Sequence, residues 1–249
     1  MKENTKPTVL ALFDVLGWMN RHRSAGLPAR IRALQTLQEV VRRRQDCLII
    51  DATIPIGQTS EGYPITGSAI GALVVQHTDF SDTFILWAVF DRARFWTFCD
   101  ICAELFCELL SLNIPPRGAI TVGEAYMHNS SRTYTGRALD EAAYVEKAQS
   151  WVGVSFGPSF DNPPYKTCFR SEHLQTFTAH RKPGEGSQYI SGKVLDWPRK
   201  WRRMFKESAC RKLAYLDCDT KYSKYYRHAI AFVEKSERVQ LEEARRENR

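Results

Sequence analysis

The sequence predicts an α+β fold: a ferredoxin-like βαββαβ core with an added α/β arm and a largely helical C-terminal extension. Three observations carry that prediction. Strand-like apolar runs and helix-like spacings follow one another as β, α, β-hairpin, α, β and then β, α, β, which mixes parallel and antiparallel connections. The stretch from Gly157-Pro158 to Pro163-Pro164 then breaks regular structure, dividing the chain into a core over 1–164 and an extension over 165–249. A length of 249 residues with 43% hydrophobic content fills a core without disulfides, and only 14 Gly and 11 Pro exclude a collagen-like or disordered chain.

The elements are read in chain order. Val9-Leu10-Ala11-Leu12-Phe13 is a continuous apolar run suited to a strand buried on both faces, with Asp14 at its end and Gly17 allowing a turn. Pro28 opens a helix over Ala29 to Arg44, where Ile31, Leu34, Leu37, Val40 and Val41 recur at helical spacing. Pro55, Gly57, Gly62, Pro64 and Gly67 make Ile54 to Gly71 read as a long loop. Ala72 to Gln76 and Thr83 to Phe90 read as strands joined by the polar segment 77–82. Ala93 to Leu112 is a core helix ended before Pro115-Pro116, and Arg117 to Tyr126 is a major strand. A short strand around Thr133 stops at Gly136, Ala138 to Gln149 is a helix, and Trp151 to Phe156 returns as a strand.

Composition narrows the function classes. No apolar stretch reaches the roughly 18 residues of a membrane span, and MKENTKPTVLALFDVL lacks a signal-peptide pattern, so a soluble, cytoplasmic protein is expected. The seven cysteines are read as reduced, and the Cys99-x-x-Cys102 pair as core packing. The net charge of +7 is concentrated in residues 193–249, which hold 16 Lys/Arg against 9 Asp/Glu. There Pro198-Arg199-Lys200-Trp201-Arg202-Arg203 and the run from Lys221 to Arg227 interleave cations with aromatics. They suit either a phosphate-tracking surface or amphipathic helices with inward aromatics. The second reading is preferred, so nucleic acid is not an expected partner. Phosphate-loop, dinucleotide and zinc-protease motifs are absent. Gly153-Val154-Ser155-Phe156-Gly157 matches GxSxG, but Pro158, Pro163 and Pro164 forbid the helix that a nucleophile elbow needs.

The more specific signal is a pair of carboxylates at element ends. Asp14 terminates the first strand and Asp82 lies in the hairpin. In a βαββαβ core the first strand is expected beside the strand leading into that hairpin, so residues 68 apart in sequence meet at one sheet edge. Two adjacent carboxylates repel, and a divalent cation relieves the repulsion. Hard oxygen donors favour Mg²⁺ or Mn²⁺, completed by the phosphates of a nucleoside triphosphate. Asp14 capping a turn and Asp82 filling a β-turn explain the same spacing equally well.

At these residues the chain resembles the nucleotidyl cyclases of the adenylate/guanylate cyclase superfamily. Phe13-Asp14-Val15-Leu16-Gly17 is similar to their first metal motif, where the Asp side chain and the next backbone carbonyl contact the ions. Ser81-Asp82-Thr83-Phe84 resembles the second, with Ser in place of the usual Gly. Arg117 to Glu124 resembles the following core strand and Gly136 to Glu146 the catalytic turn and helix, so the motifs span roughly 8–157. Their particular forms most resemble the bacterial Pycsar pyrimidine cyclases of anti-phage defence.

The resemblance implies conversion of UTP to 3′,5′-cyclic UMP and pyrophosphate, with cyclic CMP from CTP as the alternative. It also implies two Mn²⁺ or Mg²⁺ ions on Asp14, Val15 and Asp82, a homodimer with interfacial active sites, and a separate effector protein that reads the product. Substrate contacts are expected from Phe13, Thr78, Thr133, Arg137 and Lys147. Thr78 and Thr133 stand where the family's base-reading Lys and Asp lie. Asp140 and Tyr144 replace the Asn and Arg of purine cyclases, and Arg137 and Lys147 flank them on about the same helical face. That departure and the basic C-terminal quarter keep open a non-catalytic nucleotide- or nucleic-acid-binding module, and the shared βαββαβ core and metal carboxylates keep open a polymerase-palm-like enzyme.

Overall fold

The computed structural model describes residues 7–16, 28, 31–43, 50–58, 64–71, 73–80, 82–169, 174–184, 188, 190–217 and 221–247, with the backbone alone over 50–71. Its strands are β1 (Thr8–Val15), β2 (Ile50–Gln58), β3 (Pro64–Gly71), β4 (Gln76–Phe80), β5 (Thr83–Val89), β6 (Pro116–Gly123), β7 (Tyr126–His128), β8 (Thr133–Thr135), β9 (Val154–Phe156), β10 (Leu174–Thr176) and β11 (Lys193–Leu195). Its helices are α1 (residues 31–43), α2 (Phe95–Ser111), α3 (Arg137–Lys147), α4 (Trp197–Phe205), α5 (Cys210–Leu216) and α6 (Ser223–Glu247). The α+β class therefore holds.

Seven strands form one sheet in the order β10-β11-β9-β6-β1-β5-β4. β1 is central and antiparallel to both β5 and β6, while β9 joins β6 in parallel. Strand alternation sorts β1 between two layers. Val9, Ala11 and Phe13 face the core shared with α1 and α2, whereas Leu10 and Leu12 face a smaller cluster with Ala138, Ala142 and Val145 of α3. Asp14 continues the α3-facing row at the end of the strand. Gly118 lets β6 approach β1: a Cβ there would lie 2.6 Å from the Phe13 ring and 2.8 Å from the Leu12 carbonyl.

Several boundaries depart from the sequence expectation. Ile54 to Gly71 is not a long loop, because β2 and β3 pair there as a two-stranded antiparallel sheet with a register shift between Pro55 and Gly57. The second core strand is Gln76–Phe80 rather than Ala72 to Gln76, so only two residues join it to β5. β1 lies beside the strand that leaves this hairpin, β5, not beside the one that enters it.

The C-terminal quarter packs into the same body. β10 and β11 extend the main sheet, the Phe106 and Trp197 rings of α2 and α4 lie 4.6 Å apart, and Phe232 of α6 meets Trp151 at 5.1 Å. Trp201 and Tyr226 are buried, as amphipathic helices require, whereas Arg199 and Lys200 are largely buried too, paired with Asp196 and Glu243 and with Asp100 and Glu104. Cys99, Cys102 and Cys107 are sealed in the core, where burial raises their thiol pKa and leaves them inert. No described helix is long and apolar enough to cross a membrane.

Candidate active site

The sheet register brings the two carboxylate segments together. Asp14 faces Thr83 on β5 and Arg117 on β6, and the Val15 N–H donates to the Asp82 carbonyl at 3.2 Å. N–H and C=O of one strand residue point to the same side, so the Val15 carbonyl edge also faces Asp82. Asp14 is partly buried, and its pKa is raised by that burial; Arg117 opposes the rise and the charge of Asp82 adds to it.

Arg117, which the sequence marks only as the start of a core strand, stands against the Asp14 carboxylate. It is 8% exposed. Its Nη2 lies 3.3 Å from Asp14 Oδ2 and also pairs with Glu146, and its Nη1 donates to the Gln149 carbonyl at 3.2 Å. Nε is buried without a partner. Burial raises the pKa of Glu146, with Arg117 opposing and Asp14 adding. The available signal is a cation in a strand that is otherwise uncharged and buried over 116–122. Lys182 approaches the same cluster, donating to the Lys147 carbonyl at 2.6 Å, and burial lowers its pKa.

The other expected site residues are placed unevenly. Phe13 is 0% exposed in the core, so any contact with a substrate falls to its backbone. Thr78 is half-buried and lies 3.3 Å from the Tyr134 hydroxyl, which also reaches Asn129 Oδ1 at 2.8 Å. Thr133 is exposed, and its hydroxyl bonds locally with Ser131. Because neighbouring strand residues face opposite ways, Tyr134 rather than Thr133 meets Thr78, packed edge-on against Phe80 and Trp87. Arg137 and Lys147 do not share one locale. They stand at opposite ends of α3, roughly 15 Å apart at 1.5 Å per residue. Lys147 lies at the Asp14 end, whereas Arg137 lines a cavity of about 510 Å³ with Gly123, Glu141 and Ser159 at the other end of the sheet.

The donor set fits a hard divalent cation. Asp14, Asp82 and the Val15 carbonyl offer oxygens only, and the repulsion between the two carboxylates is the kind such an ion removes. Among the described residues there is no group of three or more His, Cys, Asp or Glu arranged for a metal, so the remaining positions would fall to water or phosphate.

The GxSxG serine belongs to structure rather than chemistry. Ser155 is 0% exposed; its hydroxyl donates to Gln149 Oε1 at 2.8 Å and accepts from His180 Nε2 at 2.9 Å. Protonating His180 would place a charge on Nδ1, which is buried without a partner. Burial, then Arg181 and His228, lower its pKa to about 3. A depressed histidine pKa gives stability that is fully present above the unfolded value near 6.5 and is lost as pH falls toward 3. From this residue alone, urea unfolding at pH 5 is expected to give a free energy about 2 kcal/mol lower than at pH 7.5. His180→Gln should flatten the acid limb by that amount, and an unchanged limb would refute the assignment.

The sequence matches no protein-family model and no curated protein. Among solved structures, the chain is similar to a bacterial light-regulated adenylyl cyclase, with TM-score 0.50 and 11% identity over 85% of this chain and 56% of that one. The chain thus spans just over half the length of that protein. It is also similar to the adenylyl cyclase CyaB from P. aeruginosa, with TM-score 0.48 and 9% identity over 76% and 91%. The guanylate cyclase domain of RhGC from Catenaria anguillulae in complex with GTP gives 0.47 and 9% over 76% and 93%. The first of these likenesses shows a shared fold.

Proposed function

We propose that the protein is a nucleotidyl cyclase that converts a pyrimidine nucleoside triphosphate, UTP in the first instance, to its 3′,5′-cyclic monophosphate and pyrophosphate. The observation that carries this reading is the meeting of Asp14 and Asp82 at one sheet edge, on a fold shared with an adenylyl cyclase structure. The order β6-β1-β5-β4, with α1 and α2 as its two connections, is read as the ferredoxin-like arrangement.

In the reaction the 3′-oxygen bonds to the α-phosphorus, the bond from that phosphorus to the bridging oxygen of the β-phosphate breaks, and the hydroxyl proton is released. Asp14, Asp82 and the Val15 carbonyl would hold two Mn²⁺ or Mg²⁺ ions. Bound there, such ions supply positive charge for the triphosphate and make a nearby hydroxyl more acidic. Arg117 holds Asp14 in place and keeps a cation beside the phosphate position, and Thr78 with Tyr134 offers hydroxyls toward a base. Arg137, set at the far end of α3 within one chain, supports a symmetric dimer in which it reaches the partner's site. The motif resemblance further suggests a signalling product read by a separate effector in anti-phage defence.

The test is incubation of the purified protein with each ribonucleoside triphosphate and Mn²⁺, with products identified by mass. Cyclic UMP is expected; cyclic CMP alone would shift the substrate to CTP. Asp140 and Tyr144 in place of the family's Asn and Arg favour one competing reading, a binding module without chemistry. That reading predicts bound nucleotide and no product from any triphosphate.

A further inference from the structure

The C-terminal helix reaches the Asp14 cluster. The ring of Tyr225, in the first turn of α6, lies 5.8 Å from the Arg117 guanidinium carbon, within the range of a cation–π contact. The ring is held by its own surroundings: the Tyr225 N–H donates to the Tyr222 carbonyl at 2.8 Å, and the Tyr222 ring meets it edge-on at 5.8 Å. One turn further, His228 Nδ1 donates to the Ser150 carbonyl at 2.8 Å. This pins α6 to the segment whose preceding residue, Gln149, accepts from Arg117 and donates from Nε2 to the Gly118 carbonyl.

Arg117 is therefore bounded on separate sides by Asp14 and Glu146, by the Gln149 carbonyl and by an aromatic face from the extension. A guanidinium spends little of its own conformational freedom when its plane is fixed in this way, whereas an unsupported one samples several rotamers. We propose that Tyr225 is a positioning residue of the active site, setting the Arg117 guanidinium beside Asp14, so that the basic extension is part of the catalytic machinery.

The kinetic arm of the test rests on the cyclase reading; a spectroscopic arm does not. In the full-length, metal-free protein, the Tyr225 ring current should shift the Arg117 Cδ protons upfield in NMR spectra. Tyr225→Phe should retain that shift and Tyr225→Leu should abolish it. In turnover, Tyr225→Leu should lower kcat about tenfold with a smaller change in KM, while Tyr225→Phe stays within twofold of wild type. Should Tyr225→Leu unfold, Tyr225→Met keeps the bulk without the π face. Loss of activity to the same extent in the Phe variant, or no loss in the Leu or Met variant, would overturn the inference. If the wild-type protein makes no cyclic nucleotide, the cyclase reading falls, and the mobility of the Arg117 side chain, read by 15N relaxation at Nε and expected to rise in Tyr225→Leu but not in Tyr225→Phe, decides whether Tyr225 sets the guanidinium.

Discussion

Asp14→Asn and Asp82→Asn are each expected to reduce cyclic-nucleotide formation by about a thousandfold or more while leaving the protein folded. The two outcomes have separate causes. Asparagine keeps the volume of the carboxylate but not its charge, so a cation loses one of the two carboxylates proposed to hold it, and the positive charge offered to the triphosphate goes with it. About a thousandfold corresponds to roughly 4 kcal/mol of transition-state stabilisation. Stability should not follow activity. Burial raises the Asp14 pKa, so a charged carboxylate there carries a penalty that a neutral side chain relieves. Arg117 keeps Glu146 and the Gln149 carbonyl as partners. Product formation followed by mass spectrometry and unfolding followed by circular dichroism check the two halves independently. Full turnover in either variant would remove the carboxylate pair from the mechanism, and unfolding of both would make it structural.

The parts of this arrangement legible in the sequence were those encoded locally. The apolar run ending in Asp14 is a strand because alternate residues meet two different helical layers, and the apolar residues of Ala93 to Leu112 recur at spacings of three and four in a helix that is buried on nearly every side. The segment from Ile54 to Gly71 was misread because Gly and Pro density describes turn propensity, whereas pairing of β2 with β3 is a property of two segments together. Arg117 was hidden for a related reason. Its partners Asp14 and Glu146 lie 103 residues before and 29 after it, and nothing in its own neighbourhood reports them. Counting from the motifs reaches Thr133 rather than Tyr134 because one residue of displacement in a strand exchanges the two faces. The interleaved cations and aromatics of the C-terminal quarter do lie on helices with Trp201 and Tyr226 turned inward, but nothing in their local pattern reports that Tyr225 reaches the carboxylate cluster.

Arg117→Leu is the second large effect expected, and its pH dependence separates electrostatics from packing. At pH 7 the change leaves Asp14 and Glu146 partly or wholly buried, close to each other and without their shared cation, at a cost of about 3–5 kcal/mol. Arg117→Lys should recover only part of this, because one ammonium cannot meet Asp14, Glu146 and the Gln149 carbonyl as a planar fork does. In the wild type both carboxyl pKa values are already raised by burial, with Arg117 limiting the rise. Removing Arg117 must raise them further. A carboxylate whose folded pKa exceeds its unfolded value has its full stability below the unfolded value and loses it as pH rises through the folded one. The variant should therefore regain stability relative to wild type as pH falls from 7 toward 4. Urea unfolding of both proteins at pH 7 and pH 5 measures this, and the acid loss caused by His180 cancels in the difference. A gap that stays constant between the two pH values would mean that Arg117 stabilises the fold through its packed methylenes rather than its charge, and the electrostatic account of the Asp14 cluster would fail with it.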